Sequence, residues 1–198
     1  VQGYPIPKII LQSHDIFQQL TIFKEFRFLK KLRISMKIFT KFMTYSKEAE
    51  LVPGAKALIE FFKGAKECKL YLVSHNQTKT ILEHVERLEI KDYFTGIYGA
   101  DEIPALKPDP KAFNPVLNQH KECGIKQFLV LGDMPTDIQA AKEAGLHSIA
   151  VASGISTKEI LSAYYPDLLV ESLEELKKII DNKDISNFES KNSLKIKS

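Results

Sequence analysis

From about Leu51 onward, short runs rich in β-forming residues alternate with longer segments of helical period, and no other feature narrows the possible folds so far. The runs are KLYLVS (69–74), YFTGIYG (93–99), QFLVLGD (127–133), HSIAVAS (147–153) and PDLLVE (166–171). Between them, TILEHVERL puts Ile81, Leu82, Val85 and Leu88 on one helical face, and SLEELKKII does the same with Leu173, Leu176 and Ile180. Strands separated by helices pair in parallel, because a parallel neighbour is reached only by a crossover. The expectation is an α/β protein, a three-layer sandwich whose ligand crevice lies beyond the carboxyl ends of its strands.

Residues 1–50 read differently. After GYPIP there is no alternation, and DIFQQLTIFKEFRFLKKLRISMKIFTKFM is helical in character, with Ile16, Leu20 and Phe23 on one face. This stretch carries nine Lys/Arg against four Asp/Glu, which leaves the rest of the chain slightly acidic within a net charge of +3. Its bases are strewn among six phenylalanines instead of forming a polar stripe, so a nucleic-acid partner is not expected. The tail 182–198 is rich in Asn, Lys and Ser and is expected to be disordered.

At 198 residues and 44% hydrophobic, the chain is long enough to bury a real core. Cys68 and Cys123 have no CxxC or CxxH spacing, so neither a zinc site nor a disulfide framework is suggested. No apolar run approaches the roughly 18 residues of a spanning helix, and two prolines stand where a signal peptide has its apolar stretch. A cytoplasmic protein with no membrane partner is the expectation.

The strand QFLVLGD reads as buried and ends at Asp133, where Gly132 lets the backbone turn closely and the carboxylate faces the crevice. A carboxylate there pays desolvation unless a cation or donors meet it, and a hard ion such as Mg²⁺ suits the position. The spacing predicts that the next helix opens on Thr136, since TDIQ matches a capping box, and stops at Gly145. Asp137 then lies in the first helical turn, where by itself it reads as an acid favourable to the helix dipole by about 0.3 to 1 kcal/mol.

Ser74 ends another apolar strand, so its hydroxyl and the amides that follow point to the same crevice at the start of a helix, a place for an anion. The plainer reading is that Ser74 or Asn76 caps that helix. His75 can titrate or bind metal, yet without partner spacing it reads more simply as a packing residue. Lys107 sits in a loop stiffened by Pro104, Pro108 and Pro110, with Asp109 and Pro110 in cap and first-turn positions. So held, it is pre-organised to meet a phosphate as a point charge.

In chain order, Ser74 in VSHN, Lys107 in LKPDP and the acids of GDMPTD resemble the second, third and fourth motifs of the haloacid dehalogenase-like hydrolases. The similarity is to the phosphoglycolate phosphatase type and runs from ELVPGAKALIEFF to about Ile180. The resemblance implies a Rossmann-like parallel sheet, with residues 51–181 as the core and 1–50 as part of a helical cap that closes over the substrate. It implies a Mg²⁺-dependent phosphatase acting on a small phosphorylated metabolite. Asp133 would bind Mg²⁺ and Asp137 would support the metal shell. Ser74, with the neighbouring His75 and Asn76, would hold the phosphoryl oxygens, and Lys107 would pair with nucleophile and phosphate.

The family's first motif, an apolar strand ending in D-x-D-G whose first aspartate attacks phosphorus, does not occur in the chain. Asp15 has no acid two positions on and no following glycine. The resemblance places that strand between those ending at Ser74 and Asp133, so both are expected to have unpaired edges, and the chain is expected to be inactive alone. Two other readings are a non-catalytic phosphate-binding scaffold derived from such an enzyme, and a flavodoxin-like phosphate-accepting regulator. The late position of the acids argues against the second of these.

Overall fold

The computed structural model describes residues 33, 36, 50–65 and 68–182. Arg33 and Met36 are helical and exposed. The rest of the expected cap segment, Asp15 and the tail from residue 183 lie outside the described residues. The chain divides between residues 50 and 51, and the elements below all belong to the second part.

All five runs become strands: β1 (Tyr71–Val73), β2 (Gly96–Tyr98), β3 (Leu129–Gly132), β4 (His147–Val151) and β5 (Leu168–Val170). The principal helices are α1 (Ala55–Gly64), α2 (Thr78–Arg87), α3 (Asn114–Leu117), α4 (Pro135–Glu143), α5 (Lys158–Ser162) and α6 (Leu173–Asn182). Every strand pair is parallel, with Tyr71 opposite Gly96, Leu129 opposite His147 and Ile149 opposite Leu168. α6 continues through Asn182, one residue into the segment expected as tail.

The three layers follow from the two-residue period of a strand. In β4, Ile149 and Val151 pack with Leu58 of α1 and Leu176 of α6, whereas Ala150 between them packs with Ile138 of α4 and Leu161 of α5. Both faces of β4 are therefore covered by helix. Leu58, Leu176, Ile138 and Leu161 are almost wholly buried, each worth about 1.5 to 3 kcal/mol of transfer for the larger side chains. Leu72 of β1 and Ile97 of β2 meet Ile81 and Val85 of α2, the face read from the sequence.

Among the described residues the strands form two separate sheets. β1 pairs with β2, and β4 lies between β3 and β5 and pairs with both, while no described residue pairs β1 with β3. β3 also departs from its expected burial: Leu129 and Leu131 are 47% and 42% exposed. Val130, on the opposite face, packs beside Ala140 and Ala141 of α4. The cluster under α1 and α6 includes side chains of β4 and β5 but none of β3, so one face of β3 has no cover among the described residues.

Candidate functional site

β1 and β3 both end toward the same loops, and one side chain joins them. Lys107 Nζ donates to the Val73 carbonyl at 3.1 Å and to Asp137 Oδ1 at 2.6 Å. Both partners of this ion pair are nearly buried, at 11% and 10% side-chain exposure. The loop that presents Lys107 is followed by the short helical turn Pro110–Phe113, and Asp109 caps that turn by accepting from the Lys111 amide, as the sequence suggests. An ammonium has three hydrogens, so one remains for a ligand oxygen after these two bonds.

The two acids exchange the roles expected of them singly. Asp137 is the buried one, with both oxygens engaged: Oδ1 meets Lys107, and Oδ2 accepts the Met134 amide at 3.1 Å. Dipole compensation alone does not bring a carboxylate to 7% exposure; the ion pair does. Asp137 also lies so close over Gly132 that a Cβ there would come 2.4 Å from Asp137 Cβ, which is why the strand ends on glycine. The helix starts earlier than the capping-box reading has it, with Met134 as N-cap and Pro135 at N1. Thr136 lies inside the first turn, its buried hydroxyl without a hydrogen-bond partner among the described residues.

Asp133 is half-buried and is steadied from a loop that motif reading passes over. The Ile155 amide donates to Asp133 Oδ2 at 3.0 Å, and Gly154 approaches so closely that a Cβ would stand 2.0 Å from that oxygen. Oδ1 takes no hydrogen bond from a described residue. The only sequence signal for this contact is the ASG turn that follows β4. One oriented, available carboxylate oxygen, with a second carboxylate held nearby in the same turn, fits a hard divalent ion that keeps several waters.

After β1, the Ser74 amide continues the β2 pairing through the Tyr98 carbonyl, and Ser74 Oγ accepts the Asn76 amide at 3.1 Å. Neither Ser74 nor Asn76 caps α2. That position is served from the next loop by Asp101, whose Oδ1 accepts both the amide and the hydroxyl of Thr78, at 2.7 and 3.0 Å. These hydrogen bonds lower the Asp101 carboxyl below its ordinary value, led by that of the Thr78 amide. The first turn of α2 thus already holds an anion, so the anion site expected there shrinks to the Ser74 hydroxyl and the His75 amide, which has no partner among the described residues. Asn76 itself is exposed.

His75 lies in the field of the ion pair. Burial lowers its pKa first, the Lys107 charge lowers it further, and the Asp137 charge opposes them, which leaves the ring neutral at pH 7. Its Nε2 is buried and has no hydrogen-bond partner among the described residues. A packing residue would normally be satisfied.

The family model for haloacid dehalogenase-like hydrolases matches residues 6–151. A phosphoglycolate phosphatase from Vibrio parahaemolyticus is 35% identical over 132 residues, which cover 67% of this chain and 57% of that protein. One from Escherichia coli K12 is 31% identical across 82% of this chain and 65% of its own length, and one from Vibrio vulnificus is 31% identical across 86% and 75%. The chain therefore spans less than two thirds of the length of two of these relatives. A predicted phosphoglycolate phosphatase from Haemophilus somnus shares the fold with a TM-score of 0.64 at 23% identity, over 79% of this chain and 69% of that one. A haloacid dehalogenase-like family hydrolase from Streptococcus pneumoniae does so with a TM-score of 0.64 at 21% identity, over 89% and 82%.

Proposed function

Because the chain belongs to the haloacid dehalogenase-like hydrolase family and is of the phosphoglycolate phosphatase type, we propose that its crevice holds a phosphate monoester of a small cytoplasmic metabolite together with Mg²⁺. The observation that carries this reading is the buried ion pair, Lys107 Nζ to Asp137 Oδ1 at 2.6 Å, tied to the end of β1 through the Val73 carbonyl. It ties an ammonium with one hydrogen to spare to the residue that precedes Ser74 and to the helical turn that follows Asp133. Ser74, the His75 amide and Lys107 bind and orient the phosphoryl oxygens. The Asp133 carboxylate would hold Mg²⁺, and Asp137 acts by positioning Lys107 and the turn. Bound there, Mg²⁺ supplies positive charge to oxygens that gain negative charge as the phosphoryl group is transferred. The neutral ring of His75 adds a hydrogen-bonding group without adding charge.

The 198 residues contain no D-x-D, so the attacking carboxylate of an aspartyl-phosphate mechanism is not among them. Binding is expected without turnover. Calorimetry with Mg²⁺ and inorganic phosphate tests the two halves separately. Asp133→Asn should lose Mg²⁺ binding, and Lys107→Ala should lose phosphate binding. Failure of the wild-type chain to bind either ligand refutes the reading. With p-nitrophenyl phosphate, Mg²⁺-dependent turnover that Lys107→Ala abolishes would show that another group attacks phosphorus.

A further inference from the structure

Away from the crevice, the chain after α3 runs His120-Lys121-Glu122-Cys123, and its fold brings an imidazole nitrogen, a carboxylate oxygen and a thiol sulfur within 4.8 Å of one another. We propose that these three side chains form a site for a borderline divalent ion of the Zn²⁺ type, with water as the fourth ligand. A search for CxxC or CxxH misses it because the order is histidine first.

The geometry is close to what such an ion needs. A tetrahedron with bonds of about 2.0 to 2.3 Å has edges of about 3.3 to 3.8 Å. His120 Nδ1 lies 3.5 Å from Glu122 Oε1, and Cys123 Sγ lies 3.9 Å from the same oxygen. Glu122 is exposed and Cys123 half-buried, so the ligands close by small side-chain rotations from the solvent side. A mixed nitrogen, oxygen and sulfur set selects Zn²⁺ over Mg²⁺, which prefers oxygen.

An independent contact fixes the ring. His120 Nε2 is 2.6 Å from the Tyr71 hydroxyl, and the ring packs edge-on against Tyr71 and tilted against Phe128. A ligating histidine characteristically passes its other ring nitrogen to such an outer partner, which holds the tautomer and the plane. A phenol hydroxyl can donate or accept, so Tyr71 can take either role. Without metal, its O–H donates to Nε2 and Nδ1–H faces Glu122. On loading, the ring proton moves to Nε2 and is donated to the Tyr71 oxygen. Nδ1 and the thiolate then bind the ion, and one proton, that of the Cys123 thiol, leaves for solvent. Tyr71 begins the strand whose far end delivers Ser74, so the ion would pin the loop to the base of β1, apart from the phosphate crevice.

The whole chain, titrated with Zn²⁺ against a chromophoric chelator and with Co²⁺ as a spectroscopic reporter, decides the matter. Expected are one ion per chain, release of one proton, and a thiolate-to-cobalt charge-transfer band. Cys123→Ser should remove the band, and Tyr71→Phe should keep it while weakening Zn²⁺ binding about 10- to 100-fold. Asp133→Asn and Cys68→Ser should change neither. The proposal is overturned if the wild type shows no band, if the band disappears with Cys68→Ser instead, or if wild type and Cys123→Ser bind Zn²⁺ equally.

Discussion

Replacing Lys107 by methionine keeps most of the side chain's length and apolar stem but deletes the charge that faces Asp137. With only 10% of the Asp137 side chain exposed, its carboxylate would be stranded. Removing one partner of a buried pair costs about 3 to 5 kcal/mol, a large part of the roughly 5 to 15 kcal/mol that holds a domain together. In a chain of this size each kcal/mol moves the midpoint of thermal unfolding by about 2 to 4 °C, so the variant should melt about 6 to 20 °C lower. The change also frees the Val73 carbonyl, and a double-mutant cycle with Asp137→Asn separates the two effects. The asparagine oxygen can still accept the Met134 amide, so this partner variant removes the charge and little else. Circular-dichroism melts of wild type, both singles and the double should give a coupling of about 1 kcal/mol or more, the double being better than the sum of the singles. A drop below about 2 °C for Lys107→Met, or additivity within about 0.5 kcal/mol, would refute the claim that this pair holds the two strand ends together.

Two further predictions concern residues around that pair. His75 has a folded pKa below its unfolded value, so the unfolded chain takes up its proton first as pH falls, and stability should drop from about pH 6.5 downward. Melts between pH 7.5 and about 5 should therefore decline more steeply for wild type than for His75→Gln, and equal slopes would contradict the assignment. Gly99→Ala should destabilise by about 1 to 3 kcal/mol, because the added Cβ would stand 2.1 Å from the Thr78 amide nitrogen and 2.7 Å from the Asn76 carbonyl oxygen. Denaturant unfolding midpoints measure this, and an unchanged midpoint would mean that the turn between β1 and α2 yields freely.

How much of the site could be read in advance differs from residue to residue. Lys107 was legible because three prolines stiffen its loop, and Asp133 because it follows an apolar run ending in glycine. The burial of Asp137 was not, since a first-turn acid looks the same whether or not a lysine from thirty residues upstream reaches it. Asp101 escaped as a cap for the same reason: it serves α2 from beyond the following strand. The hold of Gly154 and Ile155 on Asp133 joins the ends of two strands that are distant in sequence.

The linear order of residues determined the period of each element, the parallel pairing and the placement of Ser74 and Asp133 just beyond strand ends, since these depend on spacings of two to four residues and on the length of a crossover. Only the tertiary structure decided which face of β3 lacks cover among the described residues, which acid carries the ion pair and which amides are already taken. Those outcomes depend on burial and on partners brought together from far along the chain, and desolvation makes such contacts strong or costly in ways that no local pattern records.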